Sequence, residues 1–219
     1  MKIDVHGHAI YAYTGGKAFN PAQPTAILIH GVLCDHSVWA LQSRYLANHG
    51  WNVLAIDLPG HCRSAGDAPA SVEAAADFIG QLMDAAGIEK AALVGHSWGS
   101  LIAMEAAARL GARVSHLVLV GTAYPMKVSP ALLDSALSTP EQAIHMVNVF
   151  SRATLAPPSG AGSWVFAPAW RWAGACWPAM TAPTCCTPAS RPATATRAAR
   201  RPWRRCNARS CSPWASRTR

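Results

Sequence analysis

Gly95-His96-Ser97-Trp98-Gly99 constrains the fold of this 219-residue chain more than any other stretch, because of what flanks it. Ala91-Ala92-Leu93-Val94 before it has the unbroken apolar character of a buried strand, and the Ala-rich run from Leu101 to Leu110 reads as a helix. A G-x-S-x-G between a strand and a helix predicts a tight turn that lifts a serine hydroxyl above the end of a sheet. Gly95 and Gly99 bring no side chain, so such a turn closes without a clash. The pentapeptide alone is a modest signal. Its setting makes Ser97 a nucleophile candidate.

Two further stretches agree. Thr25 to Ile29 is long enough for one buried strand and ends in His30-Gly31-Val32-Leu33, where a glycine lets backbone approach a ligand. Trp51 to Ile56 is a second apolar run, followed by Asp57-Leu58-Pro59-Gly60-His61. Strands that end in Gly-containing loops and alternate with helices predict an α/β fold with a mostly parallel sheet and its site at the strands' C-terminal ends. His6-Gly7-His8 offers an H-x-H after a first strand, a pattern also used by metal-dependent amidohydrolases. That chemistry needs further histidines and an aspartate at later barrel strands, and no such set is present. Residues 2 to 14 fit an edge hairpin better, and no metal is expected.

With these residues in place, the chain resembles the α/β-hydrolase superfamily of the serine esterase and lipase type. The resemblance rests on His30-Gly31 after the third strand, Asp57-x-Pro59-Gly60 after the fourth and Ser97 in the elbow, and covers roughly residues 3 to 150. It implies the α/β-hydrolase fold, with Ser97 attacking a carbonyl carbon to form an acyl-enzyme. It implies an oxyanion hole of the backbone N–H groups of Trp98 and Val32, with Leu33 the alternative to Val32 if the loop is one residue longer. Each such donor is typically worth about 3–4 kcal/mol. His30, Gly31 and His96 are then candidates for the pocket wall. His96 is expected to pack beside the nucleophile rather than act as its base, and His61 to be a loop residue. Ser37 is expected to cap the helix through Trp39 and Leu46. The departure from the family pattern is Cys62, where many relatives carry glycine; it bears on the shape of that turn.

Beyond the sixth strand, Arg113 to Val120, the character becomes helical. Ser129 to Leu137 is one candidate helix. A second starts at Ser138-Thr139-Pro140-Glu141, where a hydroxyl cap followed by proline is a start signal, and runs through Ile144, Val147 and Phe150. The resemblance implies a helical cap here. The expected organisation is a core over 1–126, a partial cap over 127–164 and a foreign tail over 165–219.

The tail differs in kind. Through Glu141 the chain has eight Lys/Arg against eleven Asp/Glu; after it come eleven arginines and no acidic residue, so the formal +8 arises entirely in the C-terminal third. Five of the seven cysteines and six of the nine tryptophans lie from Trp164 onward, without helical or strand period. A basic segment can bind nucleic acid or an anionic membrane, yet such segments rarely carry this much Trp and Cys. Cys176, Cys185, Cys186, Cys206 and Cys211 form no C-x-x-C and have no histidine nearby.

Translation out of frame accounts for the composition. Cys, Trp and many Ser codons begin with T, and a shift that moves this T to the middle position encodes apolar residues. Written in GC-rich codons and shifted by two nucleotides, Asn207 to Trp214 becomes CPVLLAL, followed through Arg219 by GEQDQ. This resembles the family's seventh strand and the turn bearing its triad aspartate. Local and global signals agree in that frame. The chain as written then lacks the triad acid and histidine, with the C-terminal strands missing or the tail disordered.

The expected function is hydrolysis of a small ester or related acyl bond without a cofactor, impaired by the missing triad members. The alternatives are a C–C bond hydrolase or lactonase on the same fold, and a non-catalytic pseudo-enzyme. Met1 to Ile10 has no secretory pattern and no apolar run nears the length of a membrane span, so a cytoplasmic protein with reduced cysteines is expected, its partner a small-molecule substrate rather than nucleic acid or membrane. Leu117 to Val120 is expected to form an apolar, aggregation-prone edge.

Overall fold

The structure, a computed structural model, describes residues 1–150. The region expected as the end of the cap (151–164) and the tail expected over 165–219 lie outside the described residues.

Six strands form one sheet in the order β1-β2-β4-β3-β5-β6. β1 (Lys2–Val5) and β2 (His8–Tyr13) make the expected edge hairpin, with Val5 opposite His8. Its loop is only His6 and Gly7, at φ +53 and +81, so both residues are left-handed as a two-residue type I′ turn requires. The H-x-H is therefore hairpin geometry. β2 continues antiparallel onto β4 (Asn52–Ile56), which runs parallel to β3 (Thr25–Ile29). β5 (Ala91–His96) and β6 (Val114–Val120) extend the parallel set.

The three central strands are apolar because both sheet faces are covered. Alternation decides which residue faces which layer. Ile27, Ile29, Leu54, Ile56 and Leu93 join one core cluster, whereas Ala26, Leu28, Val53, Ala55 and Ala92 join the other. The first cluster is closed by α2 (Val72–Ala85) and α3 (Trp98–Leu110). Ser71 starts α2 by accepting from the Ala74 N–H at 3.1 Å, and Ala75, Ile79 and Leu82 bury its inner stripe. The second face is covered by α1 (Ala40–Asn48) and by the single 3-10 turn His36–Trp39 that leads into it.

Ser37 does not cap that helix. Asp35 caps the preceding 3-10 turn, its Oδ1 accepting from the Ser37 N–H at 2.7 Å, and α1 itself starts after Trp39 without a side-chain cap. The chain enters through a 3-10 turn two residues before Ser37 would do so, and the Asp35 carboxylate takes the Ser37 N–H of its first turn while Asp57 takes that of His36.

α4 (Pro130–Ser138) begins at Ser129, whose hydroxyl accepts from the Leu132 N–H at 3.2 Å, and α5 (Pro140–Phe150) follows directly. Among the described residues β6 pairs only with β5, and Leu117, Val118, Leu119 and Val120 are 38–45% exposed.

Candidate active site

The C-terminal ends of β3, β4 and β5 bring three loops together. Ser97 stands alone between β5 and α3, at φ +53 and ψ −121. A serine in that conformation is strained, and such strain persists only where the surroundings over-determine it. Here they do. A Cβ on Gly95 would collide with the Gly99 carbonyl and stand 2.6 Å from the Ser100 Cα. One on Gly99 would collide with the His30 carbonyl and stand 2.5 Å from that of Ile29. The two glycines let α3 start against β3 and β5, and Ser97, half-buried, is left at the tip of the bend. Its N–H donates to the Val120 carbonyl at 2.9 Å, and its carbonyl accepts from the Ser100 N–H at 2.9 Å and the Ser100 hydroxyl at 2.5 Å.

The loop after β3 lies against this serine. A Cβ on Gly31 would be 3.0 Å from the Ser97 Cβ and 3.1 Å from the His96 carbonyl oxygen. Gly31 opens a turn closed by the Cys34 N–H, which donates to the Gly31 carbonyl at 3.3 Å. Leu33, its third residue, adopts φ +65, a left-handed conformation that costs a non-glycine residue about 1–2 kcal/mol. Trp98 is the first residue of α3, so its N–H has no acceptor within the helix. The structure thus brings Ser97, Gly31, Val32 and Trp98 to one place.

His30 is not on the pocket wall as expected. It is fully buried, its Nδ1 2.9 Å from the Gly31 carbonyl and its Nε2 accepting from the Leu58 N–H at 3.2 Å. Both ring nitrogens are consumed in tying the β3 loop to the β4 loop. Burial, and then the His61 ring 5.1 Å away, push its pKa down to about 4, so it is neutral. His61 is also buried, with Nδ1 2.9 Å from the Pro59 carbonyl, and its pKa is lowered chiefly by desolvation. His96 is half-buried beside Gly31 and Gly121, its ring edge-on to Trp39 at 6.4 Å, its pKa lowered by desolvation. Among the described residues its Nδ1 has no hydrogen-bond partner.

Sequence reasoning passed over His36. The Asp57 carboxylate is buried, and one of its oxygens accepts from both the His36 N–H and Nδ1 at 2.8 Å; the other accepts from the Arg63 N–H at 3.2 Å. Burial pushes this carboxyl up, and the His36 hydrogen bonds and charge outweigh it and hold it below its ordinary value. Asp35, His36 and Asp57 place their ligand-type atoms within 4.8 Å of one another, a spacing compatible with a cation. The backbone donors already on both carboxylates make the cluster a brace between two loops instead. The available signal was Asp35 two residues before Ser37, facing the Asp57 motif. Cys34 is no rival nucleophile: burial and the Asp35 charge push its thiol up to about 11, keeping it protonated.

A mostly parallel sheet with a strained serine in the turn between a strand and a helix, faced by a Gly-led loop, defines an α/β protein of the hydrolase-fold class. The sequence profile described as alpha/beta hydrolase fold matches residues 24–168, and the chain belongs to that family. It is 37% identical over 119 residues to the dihydrolipoyllysine-residue acetyltransferase component of the acetoin cleaving system of Cupriavidus necator, a match covering 53% of this chain and 30% of that protein. It is 32% identical over 128 residues to lipase LipV of Mycobacterium tuberculosis, covering 57% of this chain and 48% of the lipase. The chain therefore spans less than half the length of either relative. Among solved structures, esterase RhEst1 from Rhodococcus sp. ECU1013 superposes with a TM-score of 0.61 at 25% identity, over 84% of this chain and 71% of the esterase. Other matching proteins are named epoxide hydrolases and an enol-lactonase. Among the described residues no helix is long and apolar enough to cross a membrane.

Proposed function

We propose that this chain is the greater part of a cytoplasmic serine hydrolase core acting on a small ester or related acyl bond, without a cofactor. The observation that carries the reading is Ser97 at φ +53 and ψ −121, pinned by Gly95 and Gly99 and faced by Gly31. Ser97 attacks the carbonyl carbon, and the N–H groups of Trp98 and Val32 receive the negative charge that develops on its oxygen. Donors fixed in advance need no reorganisation during reaction. A lactone presents the same acyl carbon, so a lactonase would use the same groups. The substrate is a small molecule; neither nucleic acid nor membrane takes part.

Turnover is impaired in this chain. The sequence has no histidine after His145 and no acidic residue after Glu141. Of the earlier histidines at the site, His30 and His61 are buried against backbone groups, His36 is held on Asp57, and His96 adjoins Ser97 in sequence. Without a positioned imidazole the rate falls by on the order of 10⁶. Residues 1–126 then act as the core, 127–164 as a partial cap, and 165–219 as a tail read from a second frame. Resequencing codons 160 to 170 tests the frame: an inserted or lost nucleotide is expected, and an unaltered read overturns that part.

The catalytic reading is tested by hydrolysis of a p-nitrophenyl ester by the chain and by Ser97→Ala. Hydrolysis at or barely above background is expected from both. Measurable hydrolysis that disappears in Ser97→Ala overturns the impairment and keeps the nucleophile, whereas measurable and equal rates in both remove Ser97 from the chemistry.

A further inference from the structure

Helix α5 meets the turn after β3. Leu33 and Ile144 form a small buried cluster, with Val32 and Val147 packed against it. Val32 and Leu33 are the two central residues of the turn that the Cys34 N–H closes onto the Gly31 carbonyl. Leu33 has φ +65 and Val32 is not left-handed. That is the pattern of a type II turn, with a leucine where glycine is favoured.

Left to itself, a Val-Leu turn prefers type I. The two types differ by turning the central peptide over, which exchanges the directions of the Leu33 N–H and the Val32 carbonyl. Because Gly31 touches Ser97, this exchange takes place beside the nucleophile. The exchange leaves the Val32 N–H in place and decides whether the Leu33 N–H, the alternative donor to it, or the Val32 carbonyl stands on a given side of the turn.

We propose that Ile144 and Val147 of α5, by packing on Leu33, hold the Gly31–Cys34 turn in its type II form and so position the Leu33 N–H, the alternative oxyanion donor, beside Ser97. Ile144 is a positioning residue: it acts through Leu33 and touches no reacting atom. The proposal rests on the serine hydrolase reading for its consequence, whereas the conformational coupling stands apart from it. It makes α5 more than a cover, because its seat on the turn decides how the Leu33 N–H is presented.

The test compares Ile144→Ala, Leu33→Ala and Leu33→Gly in the full chain. Two quantities are read: amide exchange of residues 32–34 by mass spectrometry, with exchange in β3 and β5 as internal reference, and the rate at which a fluorophosphonate labels Ser97. Ile144→Ala and Leu33→Ala are expected to speed turn exchange and slow labelling by about tenfold each, the scale set by a left-handed leucine that has lost its support. Leu33→Gly is expected to lie nearer the unsubstituted chain than Leu33→Ala in both, because glycine keeps the left-handed form unaided. Restoration by Ile144→Val is expected, since it returns most of the contact.

A packing role alone predicts the opposite order, since glycine removes more than alanine. Leu33→Gly equal to or worse than Leu33→Ala overturns the proposal. So does unchanged turn exchange in Ile144→Ala. If the unsubstituted chain takes no label while turn exchange follows the expected order, the nucleophile reading fails and the coupling stands.

Discussion

At the scale of single residues, backbone conformation separates what the sequence discloses from what it hides. The serine of a G-x-S-x-G was legible because both glycines are required: each occupies space that backbone carbonyls of neighbouring elements already claim. Cys62 was legible as a departure, and the structure gives the reason. It sits at φ +43, a conformation glycine adopts freely. Cys62→Gly is expected to stabilise the fold by about 0.5–1 kcal/mol, the relief of left-handed strain less the entropy glycine brings to the unfolded chain. Urea unfolding checks this, and a lowered midpoint counts against it. Leu33 was not legible, because nothing about a leucine in sequence announces φ +65. Nor was the burial of His30, since a histidine beside a glycine reads equally as a wall or a bracket.

At the scale of elements, strands were read more securely than caps. β3 came out at its true limits because four consecutive apolar residues after Thr25, between two covered faces, leave little choice. α3 begins at Trp98, three residues before its expected start, because the elbow places the helix directly after Ser97. The error at Ser37 came from competition between two good caps, in which position in the 3-10 turn favoured Asp35. β6 carries the clearest element-level consequence. Among the described residues it is an edge strand, and its four apolar residues, alternating between the two faces at 38–45% exposure, offer another chain a place to pair or pack. Leu119→Lys is expected to raise the monomer fraction in size-exclusion chromatography, with stability changed by no more than about 0.5 kcal/mol. An unchanged or lower monomer fraction would show that β6 is not the sticky surface.

At the scale of the whole molecule, stability should depend on pH through the groups that join the β3 and β4 loops. Between the ordinary histidine value of 6.5 and about 4, the unfolded chain takes up a proton that buried His30 refuses. The folded state therefore loses stability as the pH falls through that window, and recovers it as the pH rises. His61, shifted in the same direction, adds to the slope. The lowered Asp57 carboxyl gives stability present above its ordinary value of 3.8 and lost as the pH falls through its folded value. Denaturant unfolding at about pH 5 and about pH 7 should show the loss, with a shallower slope in His30→Gln. Equal slopes would mean that His30 is protonated in the fold. The sheet's composition was legible, but its order was not: the place of β2 between β1 and β4 depends on long-range pairing that leaves no local mark.

The central claim, that residues 1–150 build an elbow presenting Ser97 as a nucleophile, is tested most directly by mapping the adduct left by a fluorophosphonate. The expected result is a single adduct on the peptide containing Ser97, formed slowly and abolished by Ser97→Ala. A folded chain that takes no label, or takes it at another residue, would contradict the account.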